Sequence, residues 1–255
     1  MTAGLCAKDR AREDIKDMDA GDTSQIQKES GAAGGRQLKI RALLRQPKVN
    51  YQKVMEVILE ENEERGRTPR LLLHSCCAPC SSYVLEYLTQ YFSITVLYYN
   101  PNIYPPEEFD KRARELRRLI SEMPVEHEVT FVEGRYDPRE FYGMAEGLED
   151  LPEGGERCFR CYRQRLEEAA AAAEEGGFDY FTTTLSISPM KNAAKLNEIG
   201  AELAGKYGVP YLYSDFKKRD GYKRSIELSA QYGLYRQDYC GCEFSLAARN
   251  AASKI

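Results

Sequence analysis

The sequence has no run of about 18 apolar residues, so no transmembrane helix is expected. It has no excess of positive charge either. The 36 Lys and Arg against 40 Asp and Glu give a formal charge of −4, which excludes a globally cationic nucleic-acid coat but not a local basic surface. Gly-x-Gly-x-x-Gly, a Walker phosphate loop and His-Glu-x-x-His are all absent, so nucleotide phosphates and zincin chemistry have no support. The opening residues, 1–22, alternate charges where a signal peptide needs an apolar segment; secretion is not expected and a cytoplasmic location is. Tryptophan is missing and histidine is limited to two residues, beside 18 tyrosines. What is present in unusual number is cysteine, eight in all. Disulfides rarely persist in the cytosol, so grouped cysteines there point to metal or redox chemistry.

Residues 1–36 hold few large apolar side chains and end in Ser-Gly-Ala-Ala-Gly-Gly, which reads as a disordered tail carrying the isolated Cys6. A single domain is expected over 37–255. Its apolar patterning alternates between short strands and longer helices. Helices are expected over Tyr51–Glu64, Ser81–Phe92, Glu107–Ser121, Phe141–Leu148, Cys158–Glu175, Lys191–Tyr207 (with Ser188-Pro189 as its cap) and Tyr222–Gln231. Strands are expected over Arg70–Ser75, Ile94–Tyr99, Val125–Val132, Tyr180–Thr184 and Tyr211–Ser214. This order implies an α/β fold: a mainly parallel, Rossmann-like sheet with helices on both faces, and a C-terminal helical or loop part carrying further cysteines. Sites in such sheets form in loops at the carboxyl ends of strands.

Seven cysteines lie in the ordered region, in three groups: Cys76, Cys77 and Cys80; Cys158 and Cys161; Cys240 and Cys242. Cys77 and Cys80 bracket a helix start, where free N–H groups and the helix dipole favour thiolate over thiol. Cys158 and Cys161 share one helix face. Gly241 lets the chain bend so that both its neighbours face one point. Three short hooks from distant parts of the chain suit a site that closes around metal. Structural zinc takes four ligands, fewer than the seven thiols present. Iron–sulfur chemistry with a second metal, zinc staples among inert thiols, and a thioredoxin-like Cys77-Ala-Pro-Cys80 all stay open on spacing.

His74 and His127 each sit on a strand and read first as packed side chains. Basic residues recur at Lys111, Arg112, Arg114, Arg117 and Arg118, at Arg157, Arg160, Arg163 and Arg165, and at Lys217, Lys218, Arg219, Lys223 and Arg224. The last set lies among Tyr213, Phe216 and Tyr222, the mixture of cation and ring that a single-stranded RNA loop needs. Asp215, Asp220 and Asp238 are candidate acids or oxygen ligands.

Five blocks arrive in order: Leu73-His-Ser-Cys76-Cys77-Ala-Pro-Cys80-Ser, Tyr99-Asn-Pro-Asn-Ile-Tyr104-Pro, Arg157-Cys158-Phe-Arg-Cys161-Tyr, Phe181-Thr-Thr-Thr-Leu-Ser186 and Asp238-Tyr-Cys240-Gly-Cys242. In these blocks the chain, from roughly Asn50 onward, resembles the epoxyqueuosine reductase QueH family. The resemblance implies reduction of epoxyqueuosine to queuosine in the tRNA anticodon loop, with electrons from a donor protein or reductant. It implies a [4Fe-4S] cluster with a second adjacent iron, and a sheet akin to adenine-nucleotide α-hydrolase folds without nucleotide use. By the same resemblance, Cys76, Cys77, Cys158, Cys161, Cys240 and Cys242 are the expected cofactor and metal ligands, while Cys80 stands in a position where the family varies. A tRNA sulfur-transfer enzyme would need a phosphate loop where Ser75-Cys76-Cys77-Ala-Pro-Cys80 stands. A zinc-stapled RNA-binding module is the non-catalytic alternative. The helix after Cys80 and the segment Ser186–Lys191 are expected to shape the pocket, with Lys217, Lys218, Arg219 and Lys223 on anticodon-stem phosphates.

Overall fold

The computed structural model describes residues 35–252. The expected disordered tail, with Cys6, falls outside the described residues apart from 35 and 36, which are helical. The chain divides into two units, Met1–Lys39 and Ile40–Ile255, and the second holds the whole sheet. It opens with helical residues 40–44 (α1) and continues as α2 Tyr51–Glu64, β1 Arg70–His74, α3 Ala78–Leu88, β2 Ser93–Tyr98, α4 Pro106–Glu122, β3 Val129–Glu133, α5 Pro138–Ala145, α6 Glu156–Glu175, β4 Tyr180–Thr183, a 3-10 turn Thr184–Ile187, α7 Ala193–Tyr207, α8 Gly221–Gln231 and α9 Glu243–Ala252.

The strands form one parallel sheet in the order β3-β2-β1-β4. Alternation along each strand assigns side chains to two layers. Leu71, Leu73, Ile94, Val96 and Tyr98 enter the core shared with α2, α3 and α4, through residues such as Val54, Leu85 and Leu116. Leu72, Leu97, Tyr99 and Phe181 enter a second core with α6 and α7, through Leu166, Ala169, Leu196 and Leu203. The expected α/β architecture is therefore present, helices covering both faces.

Most ends shift by one to four residues, as Ser81–Phe92 to Ala78–Leu88 and Phe141–Leu148 to Pro138–Ala145, and three further differences have a local reason. Val125–Val132 pairs only from Val129, because β2 begins at Ser93 and the register sets Ile94 opposite Val129. Tyr211–Ser214 is not a strand. Only Tyr211 bridges to Phe181, and the amide of Asn197 occupies both backbone groups of Ser214, accepting from its N–H at 2.9 Å and donating to its carbonyl at 2.8 Å. The helix expected from Lys191 starts at Ala193, capped by Asn192, whose side chain accepts from the Lys195 N–H at 3.0 Å rather than by Ser188-Pro189.

Candidate metal centre

All three thiol-bearing stretches lie at the carboxyl end of the sheet or come to it. Strand β1 ends at His74, and within four residues the chain is helical. Cys77 precedes α3 in extended conformation, and Pro79 sits in the first turn, where its missing N–H has no helical partner to lose. This tight turn gathers the Sγ atoms of Cys76, Cys77 and Cys80 within 4.8 Å of one another, with Cys76 and Cys77 3.7 Å apart. Among the described residues no other three His, Cys, Asp or Glu donors come so close. Hydrogen bonds from the Cys76 and Cys80 thiols, aided by the Arg112 charge against the penalty of burial, hold Cys77 well below the usual thiol range. Gln237 adds an N–H 2.9 Å from the Cys77 sulfur.

The second stretch opens α6. Cys158 and Cys161 are both buried on its first turns, and the Gly154 N–H lies 3.3 Å from the Cys158 sulfur. Cys161 shares a small apolar cluster with Phe141 and Cys242. Burial pushes the Cys161 thiol up, and burial with the nearby Cys240 pushes Cys242 up to about 12.

The third stretch is held by cross-chain bonds. Gly241 has φ +128°, a conformation that favours glycine, and a Cβ there would stand 3.0 Å from Arg112 Nη1 and 3.2 Å from the Ile103 side chain, pressing on both. The Tyr104 N–H donates to the Gly241 carbonyl at 2.8 Å, and Arg112 donates to the Cys240 carbonyl at 3.2 Å. The Cys240 N–H donates to Ser245 Oγ at 3.1 Å. In the same region, the Asn100 amide donates to the Ser75 carbonyl at 2.8 Å. Tyr99-Asn-Pro-Asn-Ile-Tyr104 thus ties the first stretch to the third.

Cys76, Cys80 and Cys240 line one cavity of about 440 Å³. Cys76, Cys77 and Cys158 share one apolar cluster, and Cys161 meets Cys242 in another. The structure thus brings Cys76, Cys80 and Cys240 to one cavity, Cys158 into a cluster with Cys76 and Cys77, and Cys161 together with Cys242, while only Cys76, Cys77 and Cys80 form a tight knot. Ile187, Ser188, Pro189, Met190 and Lys191 line the same cavity, as does Pro79 at the start of α3. The Lys191 ammonium lies 2.8 Å from the Cys240 sulfur and 3.4 Å from Glu153. Burial works against its charge, but Cys240, Tyr162 and Glu153 outweigh that and hold its pKa above the ordinary lysine range.

The other candidates are not among the gathered thiols, though Asp238 and Arg165 line the cavity. His74 is fully buried, its ring nitrogens 2.9 Å from Thr183 Oγ1 and 3.1 Å from the Tyr99 carbonyl oxygen; burial and the Arg165 charge push its pKa down to about 4. It is a neutral, satisfied core residue. His127 lies 3.5 Å from Thr68 Oγ1 near the surface. Asp215 pairs with Lys217, and Asp220 precedes α8. Asp238 lines the cavity and pairs with Arg249. The basic set around Cys158 is not an RNA face: Arg157 and Arg165 are buried, while Arg160 and Arg163 pair with Glu156 and Glu202. Within the loop set, Lys217 donates to the Ser186 carbonyl and Arg219 pairs with Glu56, which leaves Lys218 and Lys223 exposed beside Tyr222.

A family model described as Epoxyqueuosine reductase QueH matches residues 71–248, the span that contains every thiol of the centre. The chain belongs to the QueH family. The epoxyqueuosine reductase QueH of Staphylococcus epidermidis is 45% identical over 211 residues, 81% of this chain and 89% of that one. Its counterpart from Streptococcus pyogenes is 44% identical over 78% of each chain, and that of Thermotoga maritima 36% over 70% of this chain and 91% of its own. Among solved structures, a predicted subunit of tRNA methyltransferase from Methanocaldococcus jannaschii covers 63% of this chain and 74% of its own at TM-score 0.38 and 12% identity, too distant to inform fold or chemistry. As a QueH-family protein the chain is an oxidoreductase. Among the described residues, no helix is long and apolar enough to cross a membrane.

Sequence reasoning missed the supporting shell of this QueH-family site. Arg112 and Arg165 look like surface charges by composition, and Gln237 carries no motif. The one local signal was spacing: Arg165 is four residues after Cys161, on the same helical face.

Proposed function

We propose that this chain removes the epoxide oxygen of epoxyqueuosine in the tRNA anticodon loop, leaving the cyclopentene of queuosine, on a [4Fe-4S] cluster with a second adjacent iron. The observation that carries this is the meeting of the first and third thiol stretches at one cavity, lined by Cys76, Cys80 and Cys240, with Cys158 in one apolar cluster with Cys76 and Cys77 and Cys161 in another with Cys242. Cys76, Cys77, Cys158, Cys161, Cys240 and Cys242 are the proposed ligands, and the closeness of Cys80 to Cys76 and Cys77 adds it to the set. The residues fit such a group: all seven are free thiols, three of them line a cavity, and cationic side chains stand in its wall. Zinc alone would account for neither the number of sulfurs nor the cavity.

The reaction takes up two electrons and two protons, breaks two C–O bonds, and releases an alkene and water. Electrons come from a donor protein or small reductant, one at a time. When bound, iron and sulfide supply the electron relay and a Lewis acid for the departing oxygen. The chain's own residues prepare the site. Gln237 holds the Cys77 sulfur, Lys191 presents an ammonium at the cavity wall, and the lining residues Met190 and Tyr222 offer apolar surface to a base. Lys218 and Lys223, outside the cavity, are the proposed phosphate contacts, in place of the fuller set that includes Lys217 and Arg219.

Anaerobically purified protein is expected to be brown, with broad absorption near about 400 nm. Incubation with epoxyqueuosine-containing tRNA and a strong reductant, followed by nucleoside mass analysis, is expected to yield a product lighter by one oxygen. A colourless zinc protein, or an iron-loaded protein that leaves the nucleoside unchanged, overturns the proposal.

A further inference from the structure

Arg165 is an anomaly of burial. It is 2% exposed, and its Nη2 has no hydrogen-bond partner. Its Nε donates to the carbonyl of Cys161, one turn earlier, at 3.2 Å. Among the described residues no carboxylate forms an ion pair with it. A buried guanidinium without a counter-anion is costly, so its surroundings have to supply negative charge. The ionisable groups around it are sulfurs, one from each stretch: Cys161 one turn earlier on α6, and Cys76 and Cys240 in the wall of the same cavity, with the Tyr162 hydroxyl beyond them. Arg165 also lines the cavity. Spacing puts it there: Cys158, Cys161 and Arg165 lie three and four residues apart, a single stripe of α6 aimed at the centre.

Arg112 makes a natural control. It is equally buried, at 1% exposed, and faces Cys77 and Cys76. Unlike Arg165 it brings its own counter-anion, Glu108, at 2.7 Å. Lys191 likewise has Glu153 within reach. Of the three buried cations that face the sulfurs, Arg112, Lys191 and Arg165, only Arg165 has no carboxylate partner.

Resting on the iron–sulfur reading above, we infer that Arg165 is a positioning residue that acts through the bound centre: it offsets the negative charge of the metal–thiolate assembly and holds its reduction potential up. Adding an electron makes the centre more negative, so a fixed cation in a low-dielectric surrounding favours the reduced state. Neutral thiols give no such balance to Arg165, whereas thiolates ligating metal do.

The test compares wild type, R165K, R165Q and E108Q, each loaded anaerobically and assayed for iron and sulfide per chain. Midpoint potentials are then measured by EPR-monitored redox titration. R165Q is expected to have a lower potential than wild type, with R165K, whose charge sits farther back, between them. E108Q is expected to move the other way, because it leaves Arg112 uncompensated, and loosened packing alone would not produce shifts of opposite sign. If R165Q does not fold, R165K decides: a lower potential supports the inference and an unchanged one overturns it. A fall in E108Q matching that of R165Q also overturns it. Failure of the underlying reading looks different, since wild type itself would then take up no iron and sulfide.

Discussion

The first and third thiol stretches reach the same cavity by opposite means. Cys76–Cys80 is a direct continuation of a buried strand into a helix, and its sulfurs meet because the turn is short. Cys240–Cys242 is a loop with no strand or helix behind it on the N-terminal side. It is placed by Tyr104, Arg112 and Ser245, residues from elsewhere in the chain or beyond the loop. One stretch is positioned by local backbone geometry and the other by tertiary hydrogen bonds. The first should therefore survive damage to its surroundings, and the third should fail whenever a supporting contact is lost.

The largest expected effect comes from removing the sulfur at the centre of the tight knot. Cys77→Ser is expected to lower iron per chain and to cut product formation beyond the roughly 10–100-fold that changes to supporting residues cost. Thermal unfolding of the metal-free protein is expected to change little. A variant that keeps its iron would show that the knot is not the anchor.

Next is Gly241→Ala, which attacks the loop instead. A non-glycine residue at this φ costs about 1–3 kcal/mol, with the crowding against Arg112 in addition. Iron retention is expected to fall while the rate of Cys77 alkylation in the metal-free protein stays that of the wild type. Equal loss of Cys77 reactivity would show the two stretches to be one cooperative unit.

Gln237→Leu is a smaller change that bears on both, since Gln237 reaches from the C-terminal part to the Cys77 sulfur. Metal retention in a chelator competition is expected to drop by about tenfold, the low end for supporting contacts. The smallest effect lies outside the centre. Lys218→Ala with Lys223→Ala is expected to weaken tRNA binding across sequences and to lower its salt dependence by roughly one for each contact. Turnover at saturating tRNA should be unchanged. Unaltered affinity would remove this loop from the interface.

Much of the site was visible in spacing. A strand followed at once by Cys76-Cys77-Ala-Pro-Cys80, and two cysteines three apart at a helix start, are local patterns with local causes, and the structure contains both. The failures have a shared origin. Tyr211–Ser214 has a strand's composition, but Asn197 intercepts the Ser214 backbone groups that a ladder would use. Arg157 and Arg165 have the composition of an RNA-binding face, yet both are buried. In each case the packing of the surrounding elements, which composition does not report, decided the outcome.

Periodicity and turn chemistry act over a few residues, so the amino-acid order by itself determined the alternation of strands and helices, the parallel α/β class and the three paired-thiol stretches. The order cannot state which distant atoms will share a cavity, because that depends on how two helical layers close over the sheet. Only tertiary structure decided that Cys240 lines one cavity with Cys76 and Cys80, that Arg112 is buried together with its helical neighbour Glu108, and that Arg165 is buried with no carboxylate partner. The reason is electrostatic as well as geometric: a charge is a surface residue or a buried counter-ion according to what surrounds it, and its surroundings are assembled last.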